Sequence, residues 1–153
     1  MTRSFHSTSA SETHLIAGRF AAELRRGDVV ALSGELGSGK TQFVQGVAEY
    51  FGVTEPVTSP TFVLLNRYAG LDDSRDELFL YHFDFYRIRS AKELYDLGFE
   101  EVLQHDGIVL IEWANSFPAL LPPQRIDISF RHGSADQERE INVERVEEQV
   151  PVR

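Results

Sequence analysis

Eight consecutive residues, Gly34-Glu35-Leu36-Gly37-Ser38-Gly39-Lys40-Thr41, match the pattern G-x-x-x-x-G-K-[ST] without a gap, and no other stretch of the 153-residue chain constrains the fold as tightly. A triphosphate needs many donors converging on several oxygens, and a Gly-rich loop can turn its backbone N–H groups inward because no Cβ blocks the approach. On this reading Lys40 reaches the β- and γ-phosphates and the Thr41 hydroxyl takes one position on Mg²⁺. The flanking residues supply the required context. Asp28-Val29-Val30-Ala31-Leu32-Ser33 is the apolar, β-branched run of a strand buried on both faces. Beyond Gly39, Phe43, Val44, Val47 and Phe51 recur at helical spacing, and Gly52 stands where the helix should stop. Strand, loop and helix in that order aim the free N–H groups and the positive dipole end of the helix at the phosphates. Among 15 basic side chains only Lys40 and Lys92 are lysines, so a chain that otherwise uses Arg keeps Lys at the one position where the motif calls for it.

The length is that of one domain, expected to span residues 1–153 with frayed ends from Glu147 onward. Without a single Cys, disulfides, thiolate zinc sites and Cys nucleophiles are excluded. The polar start, Met1 to Ser11, has no apolar h-region, and no run reaches the length of a membrane span, which points to a cytoplasmic protein that engages no membrane. The 24 acidic against 15 basic side chains leave a net charge of −9. Such a chain repels a nucleic-acid backbone unless its basic residues cluster.

Ser9-Ala10-Ser11-Glu12 has capping-box spacing and precedes Leu15, Ile16, Phe20 and Leu24 at helical intervals, predicting a helix that ends near Arg26 and Gly27. Val57-Thr58-Ser59-Pro60-Thr61-Phe62 reads as a hydroxyl-rich turn into a strand over Phe62-Val63-Leu64-Leu65. A second strand, Leu78 to Tyr86, follows a polar loop from Ala69 to Asp76, which together make an antiparallel hairpin. Alternation puts Leu78, Leu80, His82, Asp84 and Tyr86 on one face and Phe79, Tyr81, Phe83 and Phe85 on the other. Both faces begin apolar, so this strand is expected inside the sheet. Ser90-Ala91-Lys92-Glu93 opens a short helix that Gly98 should interrupt. Ile108-Val109-Leu110-Ile111, closed by Glu112 and Trp113, is a Walker B-like strand. Ile126, Ile128 and Phe130, then Ile141 and Val143, alternate with polar residues around a turn containing Gly133. The fold class that results is α/β: a P-loop NTPase-like three-layer sandwich with a central mixed sheet and a C-terminal β-hairpin.

Magnesium triphosphate chemistry needs oxygen ligands and a group to position or deprotonate the nucleophile. Asp84 and Glu112 end apolar strands, where a charge is costly unless it is used or paired, and so they are the candidates. A salt bridge to Arg87 or Arg89 is the structural alternative for Asp84, and a plain strand-end carboxylate that for Glu112. His82 is either a satisfied core histidine or a hydrogen-bonding partner on the face of Asp84. Thr61 is a candidate γ-phosphate sensor or a turn cap. Trp113, the lone Trp, covers the nucleotide pocket, anchors a partner or fills the core.

Taken together, Gly27-Asp28, the P-loop with its Glu35-Leu36 insert, Ser59-Pro60-Thr61-Phe62, His82-Phe83-Asp84-Phe85-Tyr86-Arg87, Leu97-Gly98 and Ile111-Glu112-Trp113 resemble the bacterial TsaE ATPases of tRNA threonylcarbamoyladenosine synthesis. They run in the family's order over about four-fifths of the chain. The resemblance implies a protein that binds ATP or ADP with Mg²⁺, hydrolyses ATP slowly, and works with the TsaD and TsaB proteins, meeting tRNA only through that complex. It implies a nucleotide site made of Glu35, Leu36, Gly37, Ser38, Gly39, Lys40, Thr41 and Gln42, with Thr61 in a switch-like loop and Trp113 at the nucleotide. It also implies metal ligation through Thr41, Asp84 and Glu112, and catalytic roles for Glu112, Asp84 and Lys40. Phe85 stands where the family often has Leu, and the loop from Asp72 to Asp76 looks lengthened. Two other functions fit a bare P-loop: a small-molecule kinase, against which stands the lack of an Arg-rich lid segment, and a non-catalytic, nucleotide-gated assembly factor. A guanine-specific switch is disfavoured because no Asn-Lys-x-Asp occurs.

Overall fold

The apolar run that feeds the P-loop becomes the strand Val29–Gly34, flanked on both sides by parallel neighbours. The computed structural model describes residues 2–58 and 64–147. In chain order the elements are β1 (Thr2–Ser7), α1 (Ala10–Ala21), β2 (Val29–Gly34), α2 (Lys40–Tyr50), β3 (Leu65–Leu71), β4 (Glu77–Asp84), α3 (Ala91–Asp96), α4 (Phe99–Gln104), β5 (Ile108–Glu112), β6 (Gln124–His132) and β7 (Arg139–Glu147). Two short 3₁₀ turns, Ala114–Ser116 and Pro118–Leu120, lie between β5 and β6.

The strands form one mixed sheet in the order β1-β7-β6-β2-β5-β4-β3. Its centre, β6-β2-β5-β4, is parallel, while β3, β7 and β1 each pair antiparallel with their neighbours. Period-two alternation in β2 divides the interior into two cores. Val30 and Leu32 pack with α1 and α2 residues such as Phe20, Phe43 and Val47, whereas Val29 and Ala31 pack with Leu94, Phe99 and Val102 of α3 and α4. Helices on both faces of a mixed sheet give the expected three-layer α/β sandwich, and β6-β7 is the expected C-terminal hairpin. Phe43 anchors the first core, fully buried with its ring centroid 5.5 Å from those of both Phe20 and Phe130. Truncating it to Ala should cost about 3–5 kcal/mol.

Three boundaries differ from the sequence reading. Only half of the capping box forms, Ser9 Oγ accepting from the Glu12 N–H at 3.1 Å while Glu12 turns its carboxylate to Thr8, and α1 ends at Ala21 rather than near Arg26. Leu24 still reaches the core from the turn that follows. β3 begins at Leu65 and runs to Leu71, so the first three residues of the expected loop are strand and the connection shrinks to a turn in which Asp72 Oδ1 accepts from the Ser74 and Asp76 N–H groups. An edge strand leaves Arg67, Ala69 and Leu71 exposed, so its end carries no apolar run to set Ala69, Gly70 and Leu71 apart from the turn that follows. β1 was not anticipated at all: it pairs with β7, and its one large apolar side chain is Phe5. The start of the strand expected at Phe62 and Val63 lies outside the described residues. Among those described, no helix is long and apolar enough to cross a membrane.

Candidate functional site

The P-loop occupies the gap between the carboxyl end of β2 and the first turn of α2, where ligands bind in open α/β sheets. Gly39 N-caps α2 with a left-handed backbone, φ 104°, and no side chain caps the helix, which leaves the first-turn N–H groups to an incoming anion. Gly34 is required by close approach: a Cβ there would sit 2.7 Å from Ser38 Oγ and 2.9 Å from Phe130 O, and its φ is +155°. The cleft, about 240 Å³, is lined by Leu36, Gly37, Ser38, Gly39, Lys40, Thr41, Gln42, Glu112 and Trp113. A larger groove between α1 and α2, about 910 Å³, is mostly apolar and lies away from these groups, so the smaller cleft is where the chemistry converges.

Lys40 is buried and folded back on its own loop, its Nζ donating to Gly34 O at 2.6 Å, Glu35 O at 2.9 Å and Ser38 Oγ at 3.3 Å. The ammonium also lies 4.0 Å from the Trp113 ring centroid, within cation–π reach. Burial lowers its pKa, with Glu112 and Asp84 pulling the other way. Phosphate oxygens are the natural replacement for three loop acceptors that are neutral.

The parallel register sets Asp84 of β4 beside Glu112 of β5, and Glu112 beside Leu32 of β2, so both carboxylates share the sheet edge where the P-loop begins. Both are buried. Thr41 Oγ1 donates to Glu112 Oε1 at 2.8 Å, and the other carboxylate oxygen, Oε2, lies 2.5 Å from His82 Nε2. Asp84 Oδ1 accepts from the Tyr86 N–H at 2.9 Å, and desolvation by burial raises its pKa against that bond. Among the described residues no three His, Asp or Glu side chains cluster to cage a metal. The donors present, one hydroxyl and two carboxylates, instead suit Mg²⁺, which takes a few protein oxygens and completes its shell with water and phosphate.

Trp113 has a left-handed backbone, φ 57°, which costs a non-Gly residue about 1–3 kcal/mol and recurs at functional sites. That turn swings the indole over Lys40, where the Tyr86 ring packs on it at 4.7 Å between centroids.

The family model described as threonylcarbamoyl adenosine biosynthesis protein TsaE matches residues 7–141. The chain belongs to the TsaE family. A Bacillus subtilis (strain 168) relative named tRNA threonylcarbamoyladenosine biosynthesis protein TsaE is 39% identical over 137 residues, covering 90% of this chain and 82% of its own. One of the same name from Treponema pallidum (strain Nichols) is 42% identical over 120 residues, 78% of this chain and 84% of its own. The crystal structure of Bacillus subtilis YdiB superposes with a TM-score of 0.78 and 33% identity, covering 97% of this chain and 87% of that one.

Of the residues that carry the TsaE resemblance, the structure gathers Lys40, Thr41, Gln42, Glu112 and Trp113 around one cleft and sets Asp84 beside Glu112. Thr61 lies outside the described residues. His82 proves to be both a core residue and a partner of Glu112, the two readings the strand pattern left open. Arg139 and His132, paired across the β6-β7 hairpin, approach the P-loop from behind: Arg139 Nη2 donates to Gly37 O at 3.0 Å, and His132 Nε2 is 3.4 Å from Leu36 O. Contacts this far apart in sequence, 102 residues for Arg139 and Gly37, leave no local pattern.

Proposed function

We propose that this chain binds Mg·ATP at the P-loop cleft, hydrolyses it slowly, and thereby supports threonylcarbamoyladenosine formation in tRNA as an accessory to TsaD and TsaB proteins. The observation that carries the reading is the Thr41–Glu112 hydrogen bond of 2.8 Å inside a complete P-loop. It joins the hydroxyl that the motif assigns to the metal to the carboxylate that ends the neighbouring strand. Lys40 exchanges its loop carbonyls for β- and γ-phosphate oxygens, and the N–H groups of Ser38 to Gln42 orient the remaining oxygens. Thr41, Asp84 and Glu112 supply oxygens for Mg²⁺, whose bound charge offsets that developing on the phosphates. Glu112 then orients the attacking water, and Trp113 and Tyr86 wall the cleft against bulk solvent. The family membership and the relatives' names support the pathway.

The test measures ATP binding and phosphate release by the purified chain, alone and with a TsaD–TsaB pair, with no small acceptor added. Expected are saturable Mg·ATP binding and a slow release that the partners accelerate. Release that depends on an added small acceptor would favour a kinase, and binding without release in either setting would favour a nucleotide-gated assembly factor.

A further inference from the structure

His82 is fully buried in the interior strand β4, yet its imidazole is only half used. Nε2 lies 2.5 Å from Glu112 Oε2, while among the described residues Nδ1 has no hydrogen-bond partner. An ionised carboxylate oxygen only accepts, so Nε2–H is the donor of this hydrogen bond. An apolar side chain at this position would remove the orphaned nitrogen but would also take the donor from Oε2 of the buried Glu112, so the imidazole serves that carboxylate rather than itself. Among the described residues its polar contact runs to Glu112, at the cleft. From His82 the hydrogen bonds continue through Glu112 to Thr41, linking β4, β5 and the first turn of α2.

We propose that His82 is a positioning residue: by holding Oε2 of Glu112 it fixes the carboxylate plane, so that Oε1 is presented at Thr41 and to the water that attacks ATP. The neighbours make the imidazole itself a fixed point. His82 is paired in register with Leu110 on one side and Asn66 on the other, and the Tyr68 ring lies against it at 6.3 Å. Tyr68 is tied in turn through its hydroxyl to Thr58 O at 3.3 Å. Without the imidazole, Glu112 keeps its place on the strand but gains rotamer freedom, and an imprecisely aimed carboxylate slows the chemical step more than it weakens nucleotide binding.

This inference rests on the ATPase reading, and its test separates the two. Phosphate release and ATP affinity are measured, with the partner pair present, for wild type, His82→Leu, His82→Gln, Glu112→Gln and the His82→Leu/Glu112→Gln double variant, with thermal unfolding of each. His82→Leu should lower kcat about 10- to 100-fold, as for the loss of one charge-assisted hydrogen bond, with ATP affinity within about threefold; because Oε2 of Glu112 loses its donor, Tm is expected to fall rather than rise, and rates are compared well below the lowest Tm. His82→Gln, whose amide N–H can stand in for Nε2–H, should recover most of the lost rate. In the double variant the His82 substitution should add nothing to Glu112→Gln, because His82 acts only through that carboxylate. Wild-type kcat in His82→Leu, or independent effects in the double variant, would overturn the positioning role while leaving the ATPase standing. A wild-type chain that neither binds nor hydrolyses ATP would overturn both.

Discussion

At the scale of single residues, the cleft places charges where folding alone would not. Lys40 and Asp84 are both shifted by burial toward their uncharged forms, Lys40 downward and Asp84 upward, so each charge opposes stability in the nucleotide-free chain. Removing Lys40 should therefore damage binding rather than folding: Lys40→Ala is expected to weaken ATP affinity or turnover by about 10- to 100-fold, with little loss of Tm, checked by nucleotide titration and thermal unfolding. For Asp84 the sign runs as follows. A carboxyl whose folded pKa is raised adds stability only while protonated, below its ordinary range, and that contribution is lost as pH rises through the folded value. Asp84→Asn keeps an acceptor for the Tyr86 N–H and removes the charge, so it should raise Tm at neutral pH, the gain shrinking as the pH falls through the raised pKa of Asp84. A Tm difference independent of pH would show that the carboxylate is not desolvated. The residues legible in the sequence were those whose chemistry is local: the P-loop run, and two charges that end apolar strands. The partnership of His82 with Glu112 was not legible, because 30 residues separate them and only the sheet register brings them together.

At the scale of elements, β2, α2, β4, β5 and the β6-β7 hairpin were readable because each carries a period or an uninterrupted apolar run. The edges were not. β1 and β3 take half of their definition from backbone pairing with a neighbour, and side chains that face water on an edge strand carry no hydrophobic period. The C-terminal hairpin has a consequence that its sequence pattern does not convey. Beyond closing the sheet, it braces the P-loop: Phe130 O packs against Gly34, and Arg139 ties Gly37 O to the Asp136 and Glu138 carbonyls, accepting groups that its guanidinium holds at 2.7–3.0 Å. A carbonyl held from behind fixes the Gly37–Ser38 peptide within the loop, whose Ser38 N–H donates to Glu35 O at 3.1 Å, and less ordering would remain to be done if nucleotide binds. Arg139→Ala should accordingly weaken ATP affinity by roughly 3- to 10-fold, the range of one or two ordinary hydrogen bonds, with Arg139→Lys recovering part of it. Isothermal titration with Mg·ATP checks this. Equal affinity in all three proteins would mean that the loop is shaped by Gly34 and the helix turn alone.

At the scale of the whole molecule, charge and surface decide between acting on RNA directly and acting through a partner. A net charge of −9 opposes approach to a polyanion, and counterion release by Lys and Arg supplies most of non-specific nucleic-acid affinity. Around the cleft mouth two apolar side chains stand exposed among polar ones such as Glu35, Gln42 and Arg87: Leu36 is 82% and Tyr86 62% accessible, and Tyr86 packs on Trp113 over Lys40. Apolar side chains beside the cleft suit contact with another protein, whose docking would exclude water from any phosphates bound there and fix the Trp113–Tyr86 pair. The chain alone is therefore expected to bind tRNA negligibly at physiological salt, while its phosphate release rises when TsaD and TsaB are added. Tryptophan emission follows the same event, since Trp113 is the lone indole and lies on the cleft: Mg·ATP should give a saturable change, and partner addition a second one. The deciding measurements are tRNA binding at two salt concentrations and phosphate release across a partner titration. Salt-sensitive, tight tRNA binding by the isolated chain, with turnover indifferent to partners, would reverse the assignment, because an acidic surface can hold RNA that tightly only through a basic patch that the charge balance gives no reason to expect.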